Sequence, residues 1–519
     1  MTVCECVTQK ETRISPLSRS AMRRRLRRRN QHADNCKERI DELQLQVKEL
    51  QKRLGDTSKE LEIATAQLAW QSSGEPSQSV PLVQRERPLP GHQFGLTLIA
   101  ASIELAKRVG FRAAADVLQL VLDMLGTDLK VPSHDAIEQW TLRLGVASLK
   151  DTFTKKDRVL WMADHSSQIG KERLLLIVGV ALDDLPPPGQ TLSFDKIKVL
   201  ALVPGQSWKK GDVEREYLKL AKKIGAPIYL LCDGASELRD PADKLEKDGE
   251  KTIVLGDLKH HAANVLEKEI GRSERFKSFV SEVGLTRNRV QQTELDQFAP
   301  PTLKSKSRFM NVGTLFKWAM MVLYHLDHPS DSKQGISDEP MEQKFGWLRQ
   351  YADDLRRWKQ CQAVIEQSLR VINSMGLDEH TPKLVEEALN ELNPGWRQET
   401  SSATRIGTKL IDWIEQSAIQ LQAGQRAWLS TEILESLFGR FKQMERQHSK
   451  GGFTRLIAAI PTLCMRVTGE RIREAFGQVD SKATWAWIQN TLGKTLTARR
   501  NASFREYRSK TRDHELSPT

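Results

Sequence analysis

Apolar and polar positions follow three different periods along the chain, and each change of period marks a boundary. From residue 38 to 70, apolar positions recur every three and four residues. Ile40, Val47, Leu54, Leu61 and Leu68 take one heptad position, and Leu43, Leu50, Thr57 and Ala64 take the other. This is the period of a coiled coil, here weakened at Gly55, Thr57 and Ala64. Residues 71–92 lose the pattern and are rich in Ser and Pro, as a linker is. Helical spacing returns over 93–149, in GFRAAADVLQLVLDML and then VPSHDAIEQWTLRLG. Pro132 breaks the chain between them, and Ser133 suits the N-cap of a helix through Leu144. The pair predicts a helical, helix-turn-helix-like domain in which the stretch from His134 to Gln139 would face a DNA groove.

After Lys156 the period changes. Short apolar runs at 158–163 (RVLWMA), 173–182, 196–203, 227–232 (PIYLLC) and 251–256 predict five strands. An amphipathic helix over 211–225 closes at Gly225. Residues 235–249 are partly helical with an interruption at Pro241, and a further helix runs from Lys259 to about Ile270. The order β-β-β-α-β-α-β-α predicts an α/β region over 150–271. Its first three strands form an antiparallel meander, and its later strands add in parallel through crossovers. Residues 272–425 read as helical, with the apolar helix 313–326 and tryptophans at 318, 347, 358, 396 and 413. The segment 427–445 is one more amphipathic helix within a last core portion, 426–470. Residues 471–519 read as a helix and a basic tail.

Composition narrows the class. Of 519 residues, 39% are hydrophobic and 28% charged, and no apolar run approaches the ~18 residues of a membrane span. Six scattered cysteines argue against a disulfide scaffold and for a reducing compartment. The first residues lack the apolar stretch of a secretory signal. A cytoplasmic, nucleoid-associated protein without a membrane partner is therefore expected. The net charge of +12 is unevenly placed. Residues 1–37 form a basic arm whose RRRLRRR run holds Arg23, Arg24, Arg25, Arg27, Arg28 and Arg29. Such a block self-repels unless a polyanion neutralises it, which suits contact with DNA phosphates. A second basic stretch, from Lys494 to Arg512, reads as a disordered tail with some affinity for DNA.

The chemistry is carried by carboxylates. Asp164 follows the first strand run and Asp233 follows the fourth. One aspartate at a strand end is ordinarily a turn former; two at matching ends could meet if the strands are neighbours. This order and placement resemble the RNase H-like core of DDE transposases of the bacterial insertion-sequence type. In that family the first Asp ends the first strand, the second ends the fourth, and a Glu follows on a later helix. Several of its groups also carry Asp or Cys, two residues, then His, which Asp257 and His260 match. The Glu is followed seven residues on by Lys or Arg, as Glu435 is by Lys442. On that helix Leu434, Leu437, Phe438 and Phe441 make an apolar face with Glu435 and Lys442 at its border. Glu432 lies in the first turn, where an acid favours the helix dipole, and Glu445 lies past Lys442. The long interval between Asp233 and Glu435 implies an α-helical insertion.

The resemblance implies two Mg²⁺ or Mn²⁺ ions held by Asp164, Asp233 and Glu435, with Asp164 bridging, and Lys442 contacting phosphate. Such a site breaks phosphodiesters at the element's ends in double-stranded DNA and joins the released 3′-hydroxyls to target DNA. Cutting two ends together implies a homo-oligomer, for which the heptads offer one route. Two other classes fit parts of the sequence: a DNA-binding or regulatory descendant that no longer cuts, and a coiled-coil interaction protein whose acids are structural. The second leaves the strand-end positions of Asp164 and Asp233 without an explanation.

Overall fold

The computed structural model describes residue 86 and residues 88–127, 129–167, 173–205, 207–302, 309–328, 338–422, 424–447, 454–493 and 496–515. The heptad positions and the arginine block lie outside the described residues. Among the described residues three helices come first: α1 (Leu96–Val109), α2 (Phe111–Met124) and α3 (His134–Ser148). Ser133 caps α3, its Oγ accepting from Ala136 N–H at 3.2 Å. The helix continues past Leu144 because its last turns are buried against a 3₁₀ segment, Arg455–Cys464. Contact there is so close that a Cβ on Gly145 would stand 1.8 Å from the Ala458 carbonyl oxygen.

The sheet region follows in the expected order. It comprises β1 (Val159–Ser167), β2 (Arg173–Ala181), β3 (Lys198–Gly205), α4 (Lys210–Ile224), β4 (Tyr229–Cys232), the short α5 (Ser236–Arg239), a two-stranded ribbon of β5 (Glu246–Lys247) and β6 (Glu250–Lys251), β7 (Ile253–Gly256) and α6 (Leu258–Leu266). The five main strands lie in the order β3-β2-β1-β4-β7. β2 pairs antiparallel with β1 and β3, whereas β1–β4 and β4–β7 are parallel. The protein is thus mixed α/β with helices flanking a five-stranded mixed sheet. The first strand does not stop before Asp164: it runs to Ser167, because β2 keeps pairing with it and sets Leu176 opposite Asp164.

Helices α7 (Glu274–Val290), α8 (Val312–Asp327), α9 (Asp338–Phe345), α10 (Ala352–Met375), α11 (Thr381–Leu392) and α12 (Ser402–Ala418) come next in the chain. They are followed by α13 (Glu432–Arg446), the 3₁₀ segment, α14 (Gly469–Gln478), α15 (Ser481–Leu492) and α16 (Leu496–Glu515). The basic stretch expected as a disordered tail is thus helical from Leu496 through Glu515. It contains neither Gly nor Pro and is rich in residues that favour helix.

Strand alternation divides the core in two. Leu160, Met162, Leu174, Leu176, Tyr229, Leu231 and Leu255 face the core shared with α1–α3, α6–α14 and α15. Val159, Trp161, Ala163, Leu175, Ile177, Leu230 and Cys232 face a smaller core against Val213, Tyr217, Leu220 and Ile224 of α4. Helices α1–α3 therefore share the larger core instead of enclosing one of their own. Among the described residues no helix is long and apolar enough to cross a membrane.

Candidate active site

Parallel pairing brings the aspartates together. Ala163, Cys232 and Gly256 are level across β1, β4 and β7. The next residue on each is an aspartate: Asp164, Asp233 and Asp257. Adjacent strands stand roughly 4.8 Å apart. By alternation all three side chains belong to the face of the larger core, where α6 and α13 pack.

The three do different work. Asp257 is 2% exposed and is consumed by structure. Its Oδ1 accepts from His260 N–H at 2.9 Å, capping α6. Its Oδ2 accepts from the N–H and hydroxyl of Thr431, at 2.6 and 2.7 Å. Leu258 N–H donates to Leu429 O at 3.1 Å beside it. These bonds clamp the start of α13 onto the end of β7, so Glu435 in the first turns of α13 is held over the strand ends. Among the described residues Asp164 and Asp233 each have one local bond: Asp164 Oδ1 accepts from His165 N–H at 2.6 Å, and Asp233 Oδ1 from Ala235 N–H at 2.9 Å.

Electrostatics mark the same place. Burial, and next the Asp233 charge, push the Asp164 carboxyl up to about 7, and Glu435 adds to the push. Glu435 instead lies below the usual carboxylate range, because His260 hydrogen-bonds it and Lys259 stands nearby. His260 Nε2 is 3.4 Å from Glu435 Oε1, and that bond raises the imidazole pKa against the effect of burial. Lys259 Nζ lies 2.9 Å from Glu432 and 3.8 Å from Glu435. Burial alone would lower its pKa, but these two carboxylates outweigh it. Helix α6 is itself braced from α12, where Trp413 stacks on His261 at 4.6 Å and would obstruct a Cβ on Gly256 at 2.8 Å.

The donor set suits a hard divalent cation: carboxylate oxygens, one largely buried and destabilised by its neighbours' charge. Among the described residues no group of three or more His, Cys, Asp or Glu side chains is arranged to hold a metal as it stands. Glu435 faces His260 and Lys259, so its carboxylate would have to turn to share an ion with Asp164.

The other expected residues are dispersed. Lys442 is exposed on α13, two turns beyond Glu435. His134 is half-buried at the start of α3, its Nε2 3.7 Å from Asp135, and Gln139 is exposed on the same helix. Between them Ile137 is fully buried, and Glu138 is paired with Arg455 at 2.6 Å. Sequence reasoning missed the Asp257–Thr431 clamp and the part of Lys259. A buried aspartate just before LKHH carried a capping signal, but its partner 174 residues away carried none. Comparison with models of known protein families and with curated proteins found no match.

Proposed function

We propose that the protein is a metal-dependent DDE transposase with an RNase H-like core, cutting DNA phosphodiesters and joining 3′-hydroxyls to target DNA. The observation that carries this reading is the level placement of Asp164 and Asp233 on neighbouring parallel strands, beneath the helix that bears Glu435. In-line displacement at phosphorus builds negative charge on the entering and leaving oxygens. Two Mg²⁺ or Mn²⁺ ions held by Asp164, Asp233 and Glu435 would neutralise that charge and activate the attacking hydroxyl or water. The chain's own residues do the rest. Asp257 fixes α13, His260 and Lys259 orient Glu435, and Lys442 contacts phosphate. Duplex DNA and a homo-oligomer, acting at the nucleoid, are the partners this reading requires.

The test is strand breakage in a supercoiled plasmid carrying the DNA that flanks the gene. With Mg²⁺ or Mn²⁺ the protein should produce breaks ending in 3′-hydroxyls, and EDTA should stop them. Breaks that persist in Asp164→Asn and Asp233→Asn would overturn the assignment. Tight binding without breakage, whichever ion is supplied, would identify a DNA-binding descendant that no longer cuts.

A further inference from the structure

A second charged feature lies away from the strand ends. Lys107 and Arg108 of α1, Arg440 and Gln443 of α13, Arg466 and the loop Ser193–Asp195 line a cleft of roughly 1080 Å³. Four cations face it, against the carboxylates of Glu104 and Asp195. Glu104 is already engaged: its Oε1 accepts from Lys107 Nζ at 2.8 Å and from Val467 N–H at 2.7 Å. The Lys107 ammonium is largely buried. Burial lowers its pKa, Glu104 offsets part of that, and Arg108 and Arg440 press it down further. Arg440 is held in place, its guanidinium 3.8 Å over the Phe194 ring and donating to Leu463 O at 3.4 Å. Arg108 and Arg466 are exposed at the rim. Gathering like charges in a concave site is unfavourable unless an anion shares it.

We infer that this cleft holds the phosphodiester backbone of duplex DNA beside the cutting site. The inference rests on the proposed function and adds a binding surface to it. Helix α13 carries both features. Arg440 follows Glu435 by about 7.5 Å along the axis, comparable to the rise of two nucleotides of one strand, about 3.4 Å each. At ~100° per residue it leaves the helix roughly 140° around from Glu435. A DNA strand touching both therefore crosses α13, and the cleft grips phosphates flanking the scissile one. Arg440 supplies a planar fork already fixed by Phe194, suited to two phosphate oxygens.

The test uses the full chain and a fluorescent duplex in EDTA, with binding followed by anisotropy across salt concentrations. Arg108→Ala/Arg466→Ala should weaken binding about tenfold at 0.1 M salt and flatten the log–log salt slope by about 1.8, the loss of two phosphate contacts. Lys359→Ala/Arg370→Ala, on exposed positions of α10, removes the same charge outside the cleft and should stay within about twofold of wild type. Arg108→Lys/Arg466→Lys should recover most of the affinity. A cleft variant with the control's affinity and slope, at unchanged thermal stability, would overturn the inference. So would loss of inorganic phosphate binding with duplex affinity kept, which would mark a small-anion site. Because Asp164→Asn cleavage is scored separately, failure here leaves the proposed function standing. Wild-type protein that binds no duplex would overturn both.

Discussion

The strand ends and the helical layer α7–α12 handle polarity in opposite ways. In the helical layer, Phe276, Phe279, Phe316 and Trp358 interlock with ring centroids 5.2 to 6.5 Å apart. Charges there pair at the surface, as Arg356 does with Asp353. At the strand ends, two aspartates are level on adjacent strands and a glutamate leans over them, with burial raising the pKa of the innermost. Apolar packing could have filled that space at less cost. Such an arrangement serves chemistry more readily than stability, whereas the ring cluster serves stability.

If this division is right, substitutions in the two regions should have separate signatures. The largest effect belongs to the acids. Asp233→Asn or Glu435→Gln should cut metal-dependent DNA breakage by several orders of magnitude and barely move duplex affinity, as paired cleavage and anisotropy assays would show. Trp358→Ala should do the reverse. Trp358 is 5% exposed, and its loss should cost about 3–5 kcal/mol in denaturant unfolding, with breakage per folded molecule retained. A cleavage defect in folded Trp358→Ala as deep as that of Asp233→Asn would erase the distinction.

A smaller effect tests the strained carboxylate itself. Asp164 titrates at about 7 in the folded, metal-free protein, against an ordinary 3.8. Below the ordinary value it is protonated whether folded or unfolded. Between the two values the unfolded chain releases the proton first, so stability falls as pH rises, and above 7 the full penalty remains, at most about 4 kcal/mol. Asp164→Asn should therefore raise the unfolding temperature at pH 8 and leave it nearly unchanged at pH 4. Equal shifts at both pH values would deny the burial and repulsion ascribed to this site.

Two neighbouring acids sharpen the picture with still smaller effects. Asp257→Asn puts an NH2 group, which cannot accept, where one carboxylate oxygen now accepts, so the bond from His260 N–H or those from Thr431 are lost, at a cost of roughly 1–3 kcal/mol, and breakage should fall through displacement of Glu435. Glu432→Gln breaks a half-exposed pair with Lys259, worth up to about 1 kcal/mol. It should change breakage by no more than a few-fold. Breakage abolished by Glu432→Gln but kept by Glu435→Gln would exchange their roles.

Much of the sheet was legible because its central strands β1, β2 and β4 are largely buried on both sides and read as short apolar runs, and because helix punctuation at Ser133, Pro241 and Gly225 is local. Asp233 and Glu435 were legible as residues near element ends, whereas Asp164 reads as a strand end and instead lies within β1. Their convergence depended on β1 and β4 being neighbours, which no local pattern encodes. The extension of β1 to Ser167 was hidden because HSS carries no strand signal of its own and owes its conformation to β2. The clamp from Asp257 to Thr431 joins residues 174 apart, and the cationic cleft is assembled from α1, α13, Arg466 and the loop before β3. Both are products of tertiary packing. Helix α16 was obscured by its charge, which suggested disorder where residue propensity favours helix.

We propose that Asp164, Asp233 and Glu435 together hold divalent metal. Mn²⁺ titration followed by electron paramagnetic resonance, on the full chain with duplex DNA at pH 8, addresses it most directly. Free Mn²⁺ gives a sharp six-line signal that is lost on binding. Wild-type protein should remove about two ions per chain, Asp164→Asn neither, and Asp233→Asn or Glu435→Gln no more than one tightly. Equal removal of Mn²⁺ by wild type and all three variants would rule out a metal site shared by these carboxylates.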